Sequence, residues 1–162
     1  MNLINEKEIF GHNIQILINQ RNWSIQHAAK ELEYDRNILS KILIGQQNFK
    51  LTTAIKFARY FNISVFLLFD RVFENSQYRD HFPFIECDYM FVFRKNFKNT
   101  QFKQASIHSL DSAIVSHIIS GHRNDITINT LCCFSQDSEI ELSELLKTET
   151  DKHTQQLIRT DN

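Results

Sequence analysis

The pattern of apolar and polar positions changes character near residue 75. Over Glu6–Arg21, Phe10, Ile14, Leu17 and Ile18 recur at helical spacing, which predicts a first helix. Ser24 is suited to cap the next one, and "SIQHAAKEL" predicts a short second helix packing through Ala28, Ala29 and Leu32. Asp35 opens "RNILSKIL", whose inward residues are Leu39 and Ile42, and Gly45 closes it. "LTTAIKFARYF" carries Leu51, Ala54, Ile55, Ala58 and Phe61 on one stripe, and Ser64 caps a fifth segment, "SVFLLF". Five short helices over residues 1–72, joined by short connections, make a compact all-α head.

Past that point the texture differs. Residues 73–86 include "ENSQYRDHFPF" with the single proline, Pro83, and read as a linker. "CDYMFVFRK" alternates Tyr89, Phe91 and Phe93 against Met90 and Val92, which predicts a strand buried on both faces. "QFKQASI" is expected as its antiparallel partner, and "DITINTLCCF" as a further strand. "SLDSAIVSHIISG" and "SEIELSELLK" read as helices. Residues 87–148 are therefore expected to form a small α+β domain, and 149–162 a polar, disordered tail. No internal repeat is visible in the sequence.

Composition narrows the function classes. The chain has 162 residues, 42% hydrophobic and 23% charged, with 14 Phe, which is globular material with enough aromatics for a core. Its formal net charge of -1 is unevenly split, the first 75 residues being slightly basic and the remainder acidic. The basic part is the one able to approach a polyanion. Three cysteines fit a reducing cytosol rather than a disulfide framework, and the start "MNLINEKEIF" does not read as a signal peptide, so a cytoplasmic protein is expected. Cys132 and Cys133, adjacent on an expected strand, would point to opposite faces, and neither the cysteines nor His81, His117 and His122 follow a zinc spacing. No metal or other cofactor is expected. With three glycines there is no glycine-rich phosphate loop, and no nucleophile elbow, so an enzyme is not expected.

The second and third helices carry the chemistry. A helix, a tight turn and a second helix form the arrangement that lays the second helix in the DNA major groove, its N-terminal residues at the base edges. Arg36 can donate two bonds to guanine, Asn37 can bridge adenine, and Lys41 lies one turn along the same face. Over residues 9–69, through "WSIQHAAKEL", "DRNILSKILIG" and "LTTAIKFARYFNISVFLLF", the chain resembles lambda-repressor/Cro-like, XRE-type helix-turn-helix regulators. The resemblance implies a five-helix lambda-repressor-like head that binds double-stranded DNA. Ser24 would cap the second helix, and Arg36, Asn37, Ser40 and Lys41 would face the groove. Gln46, Asn48 and Lys50 would meet phosphates from the following loop. It also implies a repressor acting as a homodimer, since one short helix reads only a few base pairs, with a dimerising, effector-sensing or partner-binding second domain.

The chain departs from that family where it has Ile18, Ile25 and Glu33 in place of Arg, Gln and Gly, and Glu33 demands a strained or altered turn. Ile38 and Ile44 add apolar surface to the presumed DNA side. These departures motivate the alternative: a protein-binding module or inhibitor, of the anti-CRISPR type, with a degenerate or autoregulatory head.

Overall fold

A computed structural model describes residues 5–161. Helices α1 (Glu6–Gln20), α2 (Ile25–Glu31), α3 (Arg36–Leu43) and α4 (Leu51–Phe61) lead to a 3-10 helix, Val65–Phe69. Then follow α5 (Ser76–Arg79), α6 (Tyr89–Lys98), a 3-10 turn at Gln104–Ser106, α7 (Ser112–Ser120), α8 (Ile128–Ser138), α9 (Leu142–Leu145) and α10 (Glu149–Thr160).

The head forms for the reasons its sequence suggests. Ser24 accepts from the His27 amide (3.1 Å) and Asp35 from the Ile38 amide (2.9 Å), so both helices of the central pair begin at capped ends. The fifth segment is a 3-10 rather than an α-helix, and Ser64 does not cap it. The Ser64 hydroxyl donates instead to Asp151 on α10 (2.8 Å).

The expected α+β domain is not present. Among the described residues 63% are helical, and there is no strand. "CDYMFVFRK" is helix α6. Asp88 starts it by accepting from the Met90 and Phe91 amides (3.0 and 3.1 Å), and Tyr89, Met90, Phe93 and Phe97 go to the core at helical spacing while Phe91 is left exposed. An apolar run with both parities filled satisfies either period, and here the cap decides. "DITINTLCCF" becomes α8, with Thr127 as cap and Ile128, Leu131 and Phe134 buried. Cys132 and Cys133 therefore sit side by side on a helix rather than on opposite faces of a strand. "QFKQASI" is irregular around its 3-10 turn. The tail is also ordered: α10 opens with a capping box between Thr148 and Asp151. Within the expected linker, Phe73, Arg79 and Phe82 are buried, and one continuous core runs from Phe10 through Leu146.

The two halves share a device. Asn13 on α1 is buried and donates its side-chain amide toward the carbonyls of Leu67 (3.4 Å), Leu68 (3.1 Å) and Asp70 (2.9 Å). Asn96 on α6 is buried and donates toward Glu144 (3.4 Å), Leu145 (3.0 Å) and Lys147 (2.8 Å). Each asparagine gathers the carbonyls at the end of a short helix onto one buried side-chain amide.

Candidate nucleic-acid interface

Helix α3 is held from behind by α1. Gly11 lies so close that a Cβ there would stand 2.3 Å from the Ile42 carbonyl oxygen and 2.6 Å from that of Leu43. Only a residue without a side chain permits this crossing, which sets how far α3 stands out from the head. Leu39 and Ile42 anchor the inner face of α3. The turn before α3 places Glu33 in the left-handed region (φ 52), the strain anticipated for a non-glycine residue. Its carbonyl accepts from the Lys56 ammonium (3.1 Å).

The end of α3 is equally fixed. Gly45 has φ 75, its amide donates to the Ile42 carbonyl (3.0 Å), and the Gln46 amide donates to that of Lys41 (2.9 Å). This crossed pair is a Schellman ending. A Cβ on Gly45 would also meet Glu8 of α1, 2.5 Å from its Cγ.

On the outer side of α3, Arg36, Asn37 and Lys41 are exposed, and Ser40 is half-buried with its hydroxyl donating to the Arg36 carbonyl (3.0 Å). The fold thus brings four of the expected groove residues onto one outward surface. Ile38 and Ile44 join them there, Ile44 being 60% exposed. Ser24 is exposed but its oxygen is occupied as a cap. Gln46 is exposed at the start of the loop.

Asn48 and Lys50 are placed otherwise. Asn48 accepts from the Asn129 amide (3.1 Å) at the start of α8. Lys50 faces Asp125 (3.5 Å) and forms an antiparallel bridge with Thr127. Around that bridge the Leu51 amide donates to the Ile126 carbonyl (2.9 Å) and the Ile128 amide to that of Phe49 (2.7 Å). The loop expected to meet phosphates is therefore tied to segment 125–129 of the second half. Nothing in the sequence joins these stretches, which are far apart along the chain. Gly11, by contrast, carries a signal: a glycine inside a helical pattern implies close backbone approach.

Among the described residues, no group of three or more His, Cys, Asp and Glu converges as a metal site, and no helix is long and apolar enough to cross a membrane. Burial pushes the Cys132 thiol up to about 12, away from the reactive thiolate.

No curated protein and no solved structure matches the chain. Residues 14–68 match the Helix-turn-helix family HTH_3. That stretch covers the pair α2–α3 and the elements that brace it, and this N-terminal part of the chain is a helix-turn-helix domain of the XRE/lambda-repressor type.

Proposed function

We propose that the protein is a sequence-specific DNA-binding transcriptional repressor that docks α3 in the major groove. The observation that carries this reading is the outward surface of α3. Arg36, Asn37 and Lys41 stand clear of the fold on a helix whose other face and both ends are locked. Preorganised donors of this kind recognise base edges at low entropic cost. Gln46, exposed at the start of the following loop, is the residue proposed to meet a phosphate.

The test is random-pool DNA selection at physiological salt, followed by affinity measurement on the selected duplex. Arg36→Ala combined with Lys41→Ala removes exposed side chains only, so the fold is retained. Affinity is expected to fall about 100-fold, since each good base contact discriminates by about 1–3 kcal/mol. Tight, specific binding by the double variant would overturn the assignment.

A second reading is favoured by the exposed Ile38 and Ile44 on the same helix, together with the intramolecular use of Asn48 and Lys50. Those features suit capture of a protein. A pool selection that enriches no sequence, with a protein retained through α3 and released by Ile44→Asp, would establish that reading instead.

A further inference from the structure

The second half repeats the head. Asn13 and Asn96 reach carbonyls separated by one step of 77 residues: Leu67 to Glu144, Leu68 to Leu145, Asp70 to Lys147. The same step takes α4 onto α8, from Leu51 and Phe57 to the buried Ile128 and Phe134. The left-handed end of α4 at Asn62 falls on the left-handed end of α8 at Glu139. The 3-10 helix Val65–Phe69 falls on α9, against which it packs.

Helix α7 stands in the place of α3. Asp35 and Asp111 cap them. Leu39 and Ile42 face inward on one, Val115 and Ile118 on the other. Gly121 (φ 92) ends α7 with its amide on the Ile118 carbonyl (3.3 Å), and the His122 amide donates to that of His117 (2.9 Å). This is the Schellman ending of α3, bond for bond. Only α2 has no full counterpart, the 3-10 turn Gln104–Ser106 standing in its place.

The two copies meet through matching segments. Phe49, Lys50 and Leu51 correspond to Ile126, Thr127 and Ile128. Leu51 donates to Ile126 while Ile128 donates to Phe49. Two equivalent segments exchanging bonds in an antiparallel pair are related by a local two-fold axis. Each segment is continuous with its own α4 or α8, so the axis relates the halves as it relates the subunits of a two-fold dimer.

We propose that the second half is a degenerate helix-turn-helix unit, and that one chain lays both α3 and α7 on a single, asymmetric DNA site. The proposal rests on the reading of α3 as a DNA-binding helix. Helix-turn-helix heads related by a two-fold read half-sites about 34–36 Å apart. In this chain the second head is covalently attached. Its outward side carries Ser112, Ala113, Ser116, His117 and Ser120, shorter side chains in place of the long cations Arg36 and Lys41. Serine bonds to purine and pyrimidine edges alike, so α7 adds contact with little discrimination. One half-site is then strongly specified and the other weakly, and a second copy of the chain is not needed to complete the site.

The test uses the full chain on its selected duplex, with stoichiometry by mass photometry and contacts by hydroxyl-radical footprinting. The expected result is one chain per duplex and two protected stretches about one helical turn apart on one face of the DNA. Single base changes should cost tenfold or more in one stretch and less than threefold in the other. Ser116→Glu with His117→Glu places repulsive charge on exposed positions of α7 and should weaken binding about tenfold, erasing the second stretch alone. Protection confined to one stretch, two chains on a symmetric site, or unchanged binding by the α7 variant would each overturn the proposal while leaving α3 as the reading helix. If no duplex is selected and the α3 variant changes nothing, the DNA reading itself fails and this inference falls with it.

Discussion

Gly11 in the head and Arg94 in the second half occupy matching positions, two residues before Asn13 and Asn96 respectively, and they solve one problem in opposite ways. In the head, α1 touches the end of α3 directly, and the absence of a side chain at Gly11 is what allows it. In the second half, the Arg94 guanidinium lies between α6 and the end of α7, donating to the Ile118 carbonyl (2.9 Å), the counterpart of Ile42, and to Asn124. One crossing is made of backbone on backbone, the other of a polar side chain. The outward surfaces of α3 and α7 follow the same division. The closely braced helix α3 carries Arg36 and Lys41, and the more loosely braced α7 carries serines. Rigid support and specific chemistry occur together, as base recognition requires donors held within fractions of an ångström.

That contrast gives the largest expected effect. Gly11→Ala should destabilise the protein by about 3 kcal/mol, because the new methyl meets two backbone carbonyls that cannot rotate away. The gain in helix propensity of about 1 kcal/mol offsets only part of the clash. Arg94→Ala, at the matching place, should cost about 1–2 kcal/mol through its lost hydrogen bonds to the Ile118 and Arg123 carbonyls and the Asn124 side chain. Urea unfolding of both variants measures the difference. A Gly11→Ala protein as stable as the parent would mean that α1 and α3 do not cross this closely.

The head was legible through α4 because each of its first four helices announces itself locally, while the fifth segment, expected as a helix capped by Ser64, is an uncapped 3-10 turn. Ser24, Asp35 and Gly45 act as read, and Leu39 and Ile42 face inward as their spacing requires. The second half was misread because Tyr89–Phe93 and Ile126–Phe134 are rich in aromatic and β-branched residues, whose preference for strands yields to capping by Asp88 and Thr127 and to packing. The repeat was invisible because the halves share few identities. Asn13 and Asn96, Asp35 and Asp111, and Gly45 and Gly121 match, but what persists is burial pattern and turn geometry rather than sequence. Of the candidate site, the α3 residues could be named from the chain alone. The capture of Asn48 and Lys50 by residues 125–129 could not, since it depends on how the halves meet.

The helices α1 and α6 open on Glu6 and Tyr89, another matching pair, and their difference predicts a pH dependence. Glu6 is buried and burial pushes its carboxyl up to about 7; the nearby Glu141 adds to the rise, while the Leu142 amide, Arg71 and Ser135 oppose it. Tyr89 is a neutral phenol whose hydroxyl donates to the Ile85 carbonyl (2.7 Å). In the unfolded chain Glu6 ionises near 4.5, in the folded chain near 7, so folding takes up a proton between those values. The contribution is fully present below pH 4.5 and is lost as pH rises through 7. Relative to Glu6→Gln, the parent should lose about 2–3 kcal/mol of stability between pH 4.5 and pH 8. Parallel stability–pH curves for the two proteins would show that Glu6 is ionised in the folded chain across this range.

The smallest effect tests the contact between the halves. Asp125 is the counterpart of Asn48, and it breaks the local two-fold by facing Lys50 (3.5 Å). Both side chains reach solvent, 64% and 40% exposed, so the pair contributes little to stability and Asp125→Asn should leave unfolding within about 0.5 kcal/mol of the parent. Its consequence should appear in DNA binding. With an aspartate beside it, Lys50 is a poor partner for a phosphate; with asparagine there, the ammonium is released to make that contact. Each neutralised phosphate adds roughly 0.9 to the slope of log affinity against log salt. Asp125→Asn should therefore tighten binding at 50 mM salt and steepen the slope by about 0.9, read by fluorescence anisotropy across about 50–200 mM. An unchanged slope would place Lys50 away from the DNA backbone and confine the interface to α3 and whatever α7 adds to it.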